Sequence, residues 1–103
     1  MEETLSLQKC AERLERRGFR CFVVPGLKEA AGVMRGLVRE FNPASASYGD
    51  SMTLKATGIL DDLRANPDIQ FYDGFLPDMD REEKWEIRRR GMTADLFLTG
   101  INA

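Results

Sequence analysis

Two short stretches of the chain combine glycine with hydroxyl or amide groups in a spacing that suits a small anion. The first is Gly49-Asp50-Ser51-Met52-Thr53, where a glycine turn precedes a serine that can begin a helix. Glycine lets the backbone turn tightly and approach a ligand, and the N–H groups of a helix start carry a partial positive charge. We therefore expect these five residues to bind an anion. The alternative is that Ser51 only caps its own helix.

The second stretch is Thr99-Gly100-Ile101-Asn102, directly after an apolar run that predicts a strand. In a parallel sheet the carboxyl ends of the strands lie at one edge, where ligands usually bind. Thr99, Gly100 and Asn102 are therefore further candidate ligand-binding residues. The alternative is an ordinary chain terminus.

Two carboxylates are candidates for acid or base catalysis. Asp50 lies in the first stretch and Asp73 ends a predicted strand, so both could face one crevice. Such acids more often cap helices or lie in solvent. The chain has no histidine, which excludes a Ser-His-Asp or Cys-His mechanism within it and removes the commonest metal ligand, so we predict no metal site.

The run Arg88-Arg89-Arg90 is the strongest cluster of positive charge. Such a run usually forms a solvated helix face, and it could instead meet an acidic partner or a phosphate. Trp85, in the same predicted helix, and Phe75, in the loop before it, are expected to be packing groups.

Length and composition restrict the possible functions. The chain has 103 residues, which suits one small domain over 1–103. Its net charge of −2 argues against a nucleic-acid binder that depends on bulk charge. Cys10 and Cys21 are expected to be small core residues in a reduced compartment. The sequence shows no apolar run that could span a membrane and no secretory leader, so we expect a cytoplasmic protein.

Hydrophobic periodicity predicts helices that alternate with strands. The alternation is typical of βαβ units and predicts an α/β fold with a parallel sheet covered by helices. The predicted helices span 4–17, 27–41, 52–65 and 80–90, and the predicted strands span 19–24, 45–49, 69–73 and 94–100.

The last predicted strand is strongly apolar, and no helix follows it to cover it. An uncovered apolar strand tends to pair with another chain. We therefore expect either a homo-oligomer formed through this strand or a chain that is the front part of a longer domain.

Two motifs resemble those of a known family. Tyr48-Gly49-Asp50-Ser51-Met52-Thr53-Leu54 is similar to the glycine-x-serine-x-threonine-leucine motif of the LUD domain family, the C-type lactate utilisation proteins once classed as a domain of unknown function. The segment 94–103 is similar to that family's alanine-aspartate-x-phenylalanine-x-threonine-glycine-x-asparagine-alanine element. Shorter similarities are found at Gly18-Phe19, Gly58-Ile59-Leu60, Glu82-Glu83-Lys84 and Ile87-Arg88-Arg89.

The resemblance implies a fold like that of the ribose-5-phosphate isomerase (NagB/RpiA) and CoA-transferase group. It also implies a bacterial, cytoplasmic component of L-lactate oxidation that acts beside partner proteins, at least one with iron–sulfur clusters. Two distant cysteines cannot supply the usual four cluster ligands, so no cofactor is expected in this chain. Two alternatives stay open: an enzyme acting like the sugar-phosphate isomerases or CoA transferases, and an oligomerising interaction module.

Overall fold

The fold is built around a short central strand with a shorter strand on either side. The computed structural model describes residues 2–100, with the side chains of 6–100. It confirms an α/β chain with a small parallel sheet and helices. The elements are α1 (Glu2–Arg16), α2 (Leu27–Phe41), β1 (Ser45–Tyr48), α3 (Met52–Thr57), α4 (Ile59–Ala65), β2 (Gln70–Tyr72), α5 (Arg81–Gly91) and β3 (Leu96–Leu98).

The three strands are parallel, in the order β2-β1-β3. Ser47 of β1 lies opposite Tyr72 of β2 and opposite Phe97 of β3. The chain between β1 and β2 forms α3 and α4, and the chain between β2 and β3 crosses β1 through α5. All three strands therefore end at the same edge, as the alternating pattern predicts.

The two faces of the sheet are covered differently. Ala46 and Tyr48 point to the face covered by α2, α3 and α4, because side chains alternate along a strand. Ile59 and Leu63 of α4 are 1% and 2% exposed and form the centre of this core. Ser47 points to the opposite face, where α5 approaches closely at Gly91.

The predicted helix over 27–41 is confirmed with its bounds as α2. Asn42 ends it in the left-handed conformation, with its N–H bonded to the carbonyl of Val38. Gly18 follows α1 and ends it with φ at +94°. Its N–H and that of Phe19 bond back to carbonyls in the last turn of α1, which is the Schellman arrangement.

The predicted strand over 19–24 is wrong. The segment is irregular, and within residues 2–100 it pairs with no strand. Phe19, Phe22 and Val23 are 60%, 49% and 42% exposed. Apolar and β-branched content favours a strand only where a neighbouring strand accepts the backbone hydrogen bonds, and this sheet provides no such neighbour among the described residues.

The predicted helix over 52–65 is two helices. Gly58 separates α3 from α4 with φ at +79°, a conformation that favours glycine. Its role is thus to turn the chain between the two helices. The cysteines also differ from expectation, since Cys10 is exposed and Cys21 only half-buried.

No helix within residues 2–100 is both long enough and apolar enough to cross a membrane.

The close approach of α5 to β1 should make Gly91 sensitive to substitution. A Cβ at Gly91 would lie 2.8 Å from the Cβ of Ser47, so we expect Gly91→Ala to lower the free energy of unfolding by roughly 1–3 kcal/mol. Gly32→Ala, in α2, is the control, because a Cβ there meets nothing within 4 Å. Alanine favours the helix, so this variant should raise the free energy of unfolding by at most about 1 kcal/mol. Urea unfolding of both variants and of the wild type measures these changes in the free energy of unfolding. A Gly91→Ala variant as stable as the wild type would contradict the close packing of α5 on β1.

Candidate functional site

The two stretches singled out in the sequence lie side by side at the carboxyl edge of the sheet. The N–H of Gly49 donates to the carbonyl of Leu98 at 2.8 Å. A Cβ on Gly49 would lie 3.0 Å from Oγ1 of Thr99, and a Cβ on Gly100 would lie 2.5 Å from Oγ of Ser51. The structure therefore brings together the glycines and hydroxyls of both stretches. Asn102 lies outside the described residues.

Ser51 caps the helix that follows it. Its Oγ accepts a hydrogen bond from the N–H of Leu54 at 3.3 Å, and α3 is only six residues long. The structure thus shows that this hydroxyl caps its own helix, and its binding of an anion stays a prediction. The side chains of Met52 and Thr53 are exposed beside it.

Asp50 is exposed and forms an ion pair with Lys55, with 3.1 Å between Oδ1 and Nζ. The pair places a negative group and a positive group beside the two contacting stretches. An anion bound there would therefore meet the carboxylate of Asp50 unless Lys55 turned from Asp50 to the ligand. Whether Asp50 acts as a base stays a prediction.

Asp73 lies in a network at the end of β2. One carboxylate oxygen accepts hydrogen bonds from the hydroxyl of Tyr48 and from a terminal nitrogen of Arg64, the latter at 3.2 Å. The other oxygen accepts from Nε of the same arginine. Asp61, on the surface of α4, bonds to the remaining terminal nitrogen of Arg64 at 2.9 Å.

The network shifts the pKa of its members. Burial alone would raise the pKa of Asp73, but the hydrogen bonds from Arg64 and Tyr48 outweigh it and hold the pKa below its usual 3.8. Burial and the neighbouring Asp73 carboxylate raise the pKa of Tyr48 to about 12. A carboxylate with a lowered pKa is a weaker base, so this geometry favours a structural role for Asp73. Its catalytic role stays a prediction.

A cavity of about 550 Å³ lies on the α5 face of the sheet, with Gly49 of the first stretch in its wall. Sequence reasoning missed it, because its walls come from β1, α5, β3 and the loops that follow the strands and α5. The run of arginines in the same helix as Trp85 is the sequence signal that could have indicated it. Among the residues that line it are Tyr48, Gly49, Phe75, Trp85, Arg88 and Phe97.

The three arginines of α5 have different surroundings. Arg89 and Arg90 both bond to Glu86, at 2.6 Å and 3.1 Å, and form the solvated face that we expected. Arg88 instead lies over the ring of Phe75 at 3.9 Å. Trp85 is 64% exposed, so the expectation that it is a packing group is wrong.

A parallel α/β fold with glycine-containing loops at the carboxyl edge of its strands defines a common class of ligand-binding domain. A model of the LUD domain family matches residues 7–103, almost the entire chain. The protein therefore belongs to the LUD domain family, as the two sequence motifs predicted. Searches of curated proteins and of solved structures gave no match.

The network at Asp73 should stabilise the fold in a pH-dependent way. Asp73→Asn removes a largely buried charge opposite Arg64, and we expect it to lower the free energy of unfolding by about 2 kcal/mol at pH 7. Because folding lowers the pKa of Asp73, its contribution is present above pH 3.8 and is lost as the pH falls through the folded value. The difference in the free energy of unfolding between the variant and the wild type should therefore become smaller at acidic pH.

The control for this variant is Asp61→Asn, which removes another carboxylate partner of the same arginine. The side chain of Asp61 is 80% exposed, against 14% for Asp73. An exposed pair contributes little, so we expect a change below about 0.5 kcal/mol. Chemical unfolding from pH 3 to pH 8 measures both variants. A pH-independent loss in Asp73→Asn would contradict the role of its charge.

Proposed function

We propose that this LUD-family protein is a component of a bacterial system for L-lactate oxidation. We also propose that it binds a small carboxylate at the surface where residues 49–53 and 99–100 meet, which we call the crevice. The observation that supports this most is the contact between the two stretches at the carboxyl edge of three parallel strands. Family membership supports the biological role.

The chemistry of the crevice suits a carboxylate of the size of lactate or pyruvate. The hydroxyls of Ser51 and Thr99 can donate to it, and Lys55 can supply a positive charge by leaving Asp50. Gly49 and Gly100 allow the two loops to approach closely there, since a Cβ on either would crowd a hydroxyl of the other loop. Partner proteins with iron–sulfur clusters would carry the electrons, since this chain has only two distant cysteines.

The proposed fold class is that of the ribose-5-phosphate isomerase and CoA-transferase group. The parallel sheet of order β2-β1-β3 with helices on both faces is compatible with it. An isomerase-like or transferase-like activity would need a base in the crevice, and Asp50 is the carboxylate that lies there. The ion pair with Lys55 and the lack of histidine make binding without catalysis the better-supported function.

The binding proposal is tested by thermal unfolding with lactate, pyruvate, acetate and phosphate. A ligand at 100 times its dissociation constant adds about 2.7 kcal/mol, which raises Tm by roughly 10 °C in a domain of this size. Gly100→Ala should abolish the shift, because its Cβ would lie 2.5 Å from Oγ of Ser51. Gly32→Ala should retain it. No shift with lactate or pyruvate in the wild type would refute this assignment.

A second function, pairing with another copy of the chain, is favoured by the unprotected side of β3. This strand lies at the edge of the sheet, and within residues 2–100 nothing pairs with its outer side. A groove beside it is lined by Leu96 and Leu98 together with Leu37 and Phe41 of α2. Phe41 is 56% exposed. We propose that two copies associate through this edge and groove.

Light scattering over a range of protein concentrations tests the association. We expect a dimer whose dissociation constant rises at least tenfold in Phe41→Glu, because a charge in an apolar interface costs roughly 2 kcal/mol or more. Trp85→Glu is the control, since Trp85 is an aromatic residue that is also more than half exposed and lies on the opposite face of the sheet. A wild-type monomer at all concentrations would exclude the interface.

A further inference from the structure

The cavity on the α5 face has the features of a second binding site, distinct from the crevice between the two loops. Its volume of about 550 Å³ lies in the range of small-molecule pockets. Trp85 and Phe97, which line it, are 64% and 51% exposed. Large aromatic side chains left in water around one concavity are typical of a surface that binds an apolar group.

Arg88 is held in one position at the wall of this cavity. Its Nε donates to the carbonyl of Gly74 at 2.9 Å, and its guanidinium carbon lies 3.9 Å from the centre of the Phe75 ring. Gly74 is buried, and a Cβ there would lie 2.6 Å from Cγ of Arg88. The backbone of the loop therefore packs against the Arg88 side chain. The hydrogen bond to Gly74 and the stacking on Phe75 together orient the guanidinium.

The terminal nitrogens of Arg88 remain available for an anion. Among the side chains of residues 6–100 no carboxylate lies within ion-pair distance of this guanidinium. Arg89, the other arginine at the cavity, pairs with Glu86 at 2.6 Å. None of the described residues that line the cavity is acidic. The site thus offers one oriented, unneutralised positive charge within apolar walls.

The geometry points to an organic carboxylate with a planar aromatic body as the ligand of this cavity. Its carboxylate would bind the terminal nitrogens of Arg88, which match the two oxygens of a carboxylate. Its ring would lie among Phe75, Trp85 and Phe97, where offset stacking is favourable. A single guanidinium balances one negative charge, so a monoanion fits better than a phosphate.

Trp85 is the only tryptophan of the chain and supplies the signal for a test. Benzoate is the probe, and benzamide is its neutral control of the same shape. We expect benzoate to change the Trp85 emission in a saturable way with a dissociation constant in the millimolar range, since it is a fragment of nine heavy atoms. Benzamide should bind at least tenfold more weakly, because it has no charge for Arg88.

Arg88→Gln should weaken benzoate binding about tenfold to a hundredfold. Arg39→Gln, an exposed arginine of α2 on the other side of the sheet, should bind benzoate as the wild type does. Unfolding temperatures of both variants establish that each is folded. If Arg88→Gln does not fold, the ratio of benzoate to benzamide affinity in the wild type tests the proposal instead.

Equal affinities for benzoate and benzamide, or unchanged benzoate binding in Arg88→Gln, would overturn the proposal. The proposal would also be overturned if benzoate caused no saturable change in the Trp85 emission up to about 20 mM. That concentration is well above the dissociation constant expected for such a fragment. Gly100→Ala, which should block the crevice, should leave benzoate binding intact. That variant therefore separates a failure of this inference from a failure of the proposed binding of lactate or pyruvate.

Discussion

The structure depends on the burial of β1 from both sides. Ala46, Ser47 and Tyr48 are 0%, 3% and 3% exposed, and β1 is hydrogen-bonded to a strand on each side. Small residues at 45–47 allow helices to approach both faces, and α5 comes so close that only glycine fits at position 91. A strand of four residues can organise the fold because it is the surface against which α4 and α5 both pack.

The loop after β2 is held from both faces of the sheet. Arg64 and Tyr48 bind Asp73 on the face of α4, and Arg88 binds the next residue, Gly74, from α5. Phe75 then contacts the ring of Tyr48, with 5.2 Å between the ring centres. These contacts fix the end of β2 beside the end of β1. They also fix the wall of the aromatic cavity, so the stability of the loop and the shape of the cavity have a common origin.

The carboxyl edge of the sheet therefore carries two neighbouring surfaces of different character. The two glycine-containing stretches contact each other there, with the hydroxyls of Ser51 and Thr99 beside the glycines. The cavity on the α5 face is lined mostly by apolar side chains and by Arg88, whose guanidinium lies over the ring of Phe75. Gly49 belongs to both surfaces, since it lines the cavity and begins the first stretch.

The family, the parallel α/β character and the position of most elements could be predicted from the residues alone. The helix over 27–41 follows from a local pattern and is found where it was predicted. Asp80 and Gly18 lie at the ends of helices, where residues of their types are favoured. Contact between the two glycine-containing stretches followed from the rule that parallel strands end at one edge. The features that depend on distant partners could be seen only in the folded chain.

The segment over 19–24 has strand-forming residues but no strand beside it, and Gly58 turns the chain where the helical pattern continues without a break. The three consecutive arginines look alike in sequence. Only packing against the loop after β2 separates Arg88 from Arg89 and Arg90. Local sequence thus specifies the elements and their ends, whereas pairing, burial and the neutralisation of charge depend on residues far apart in the chain.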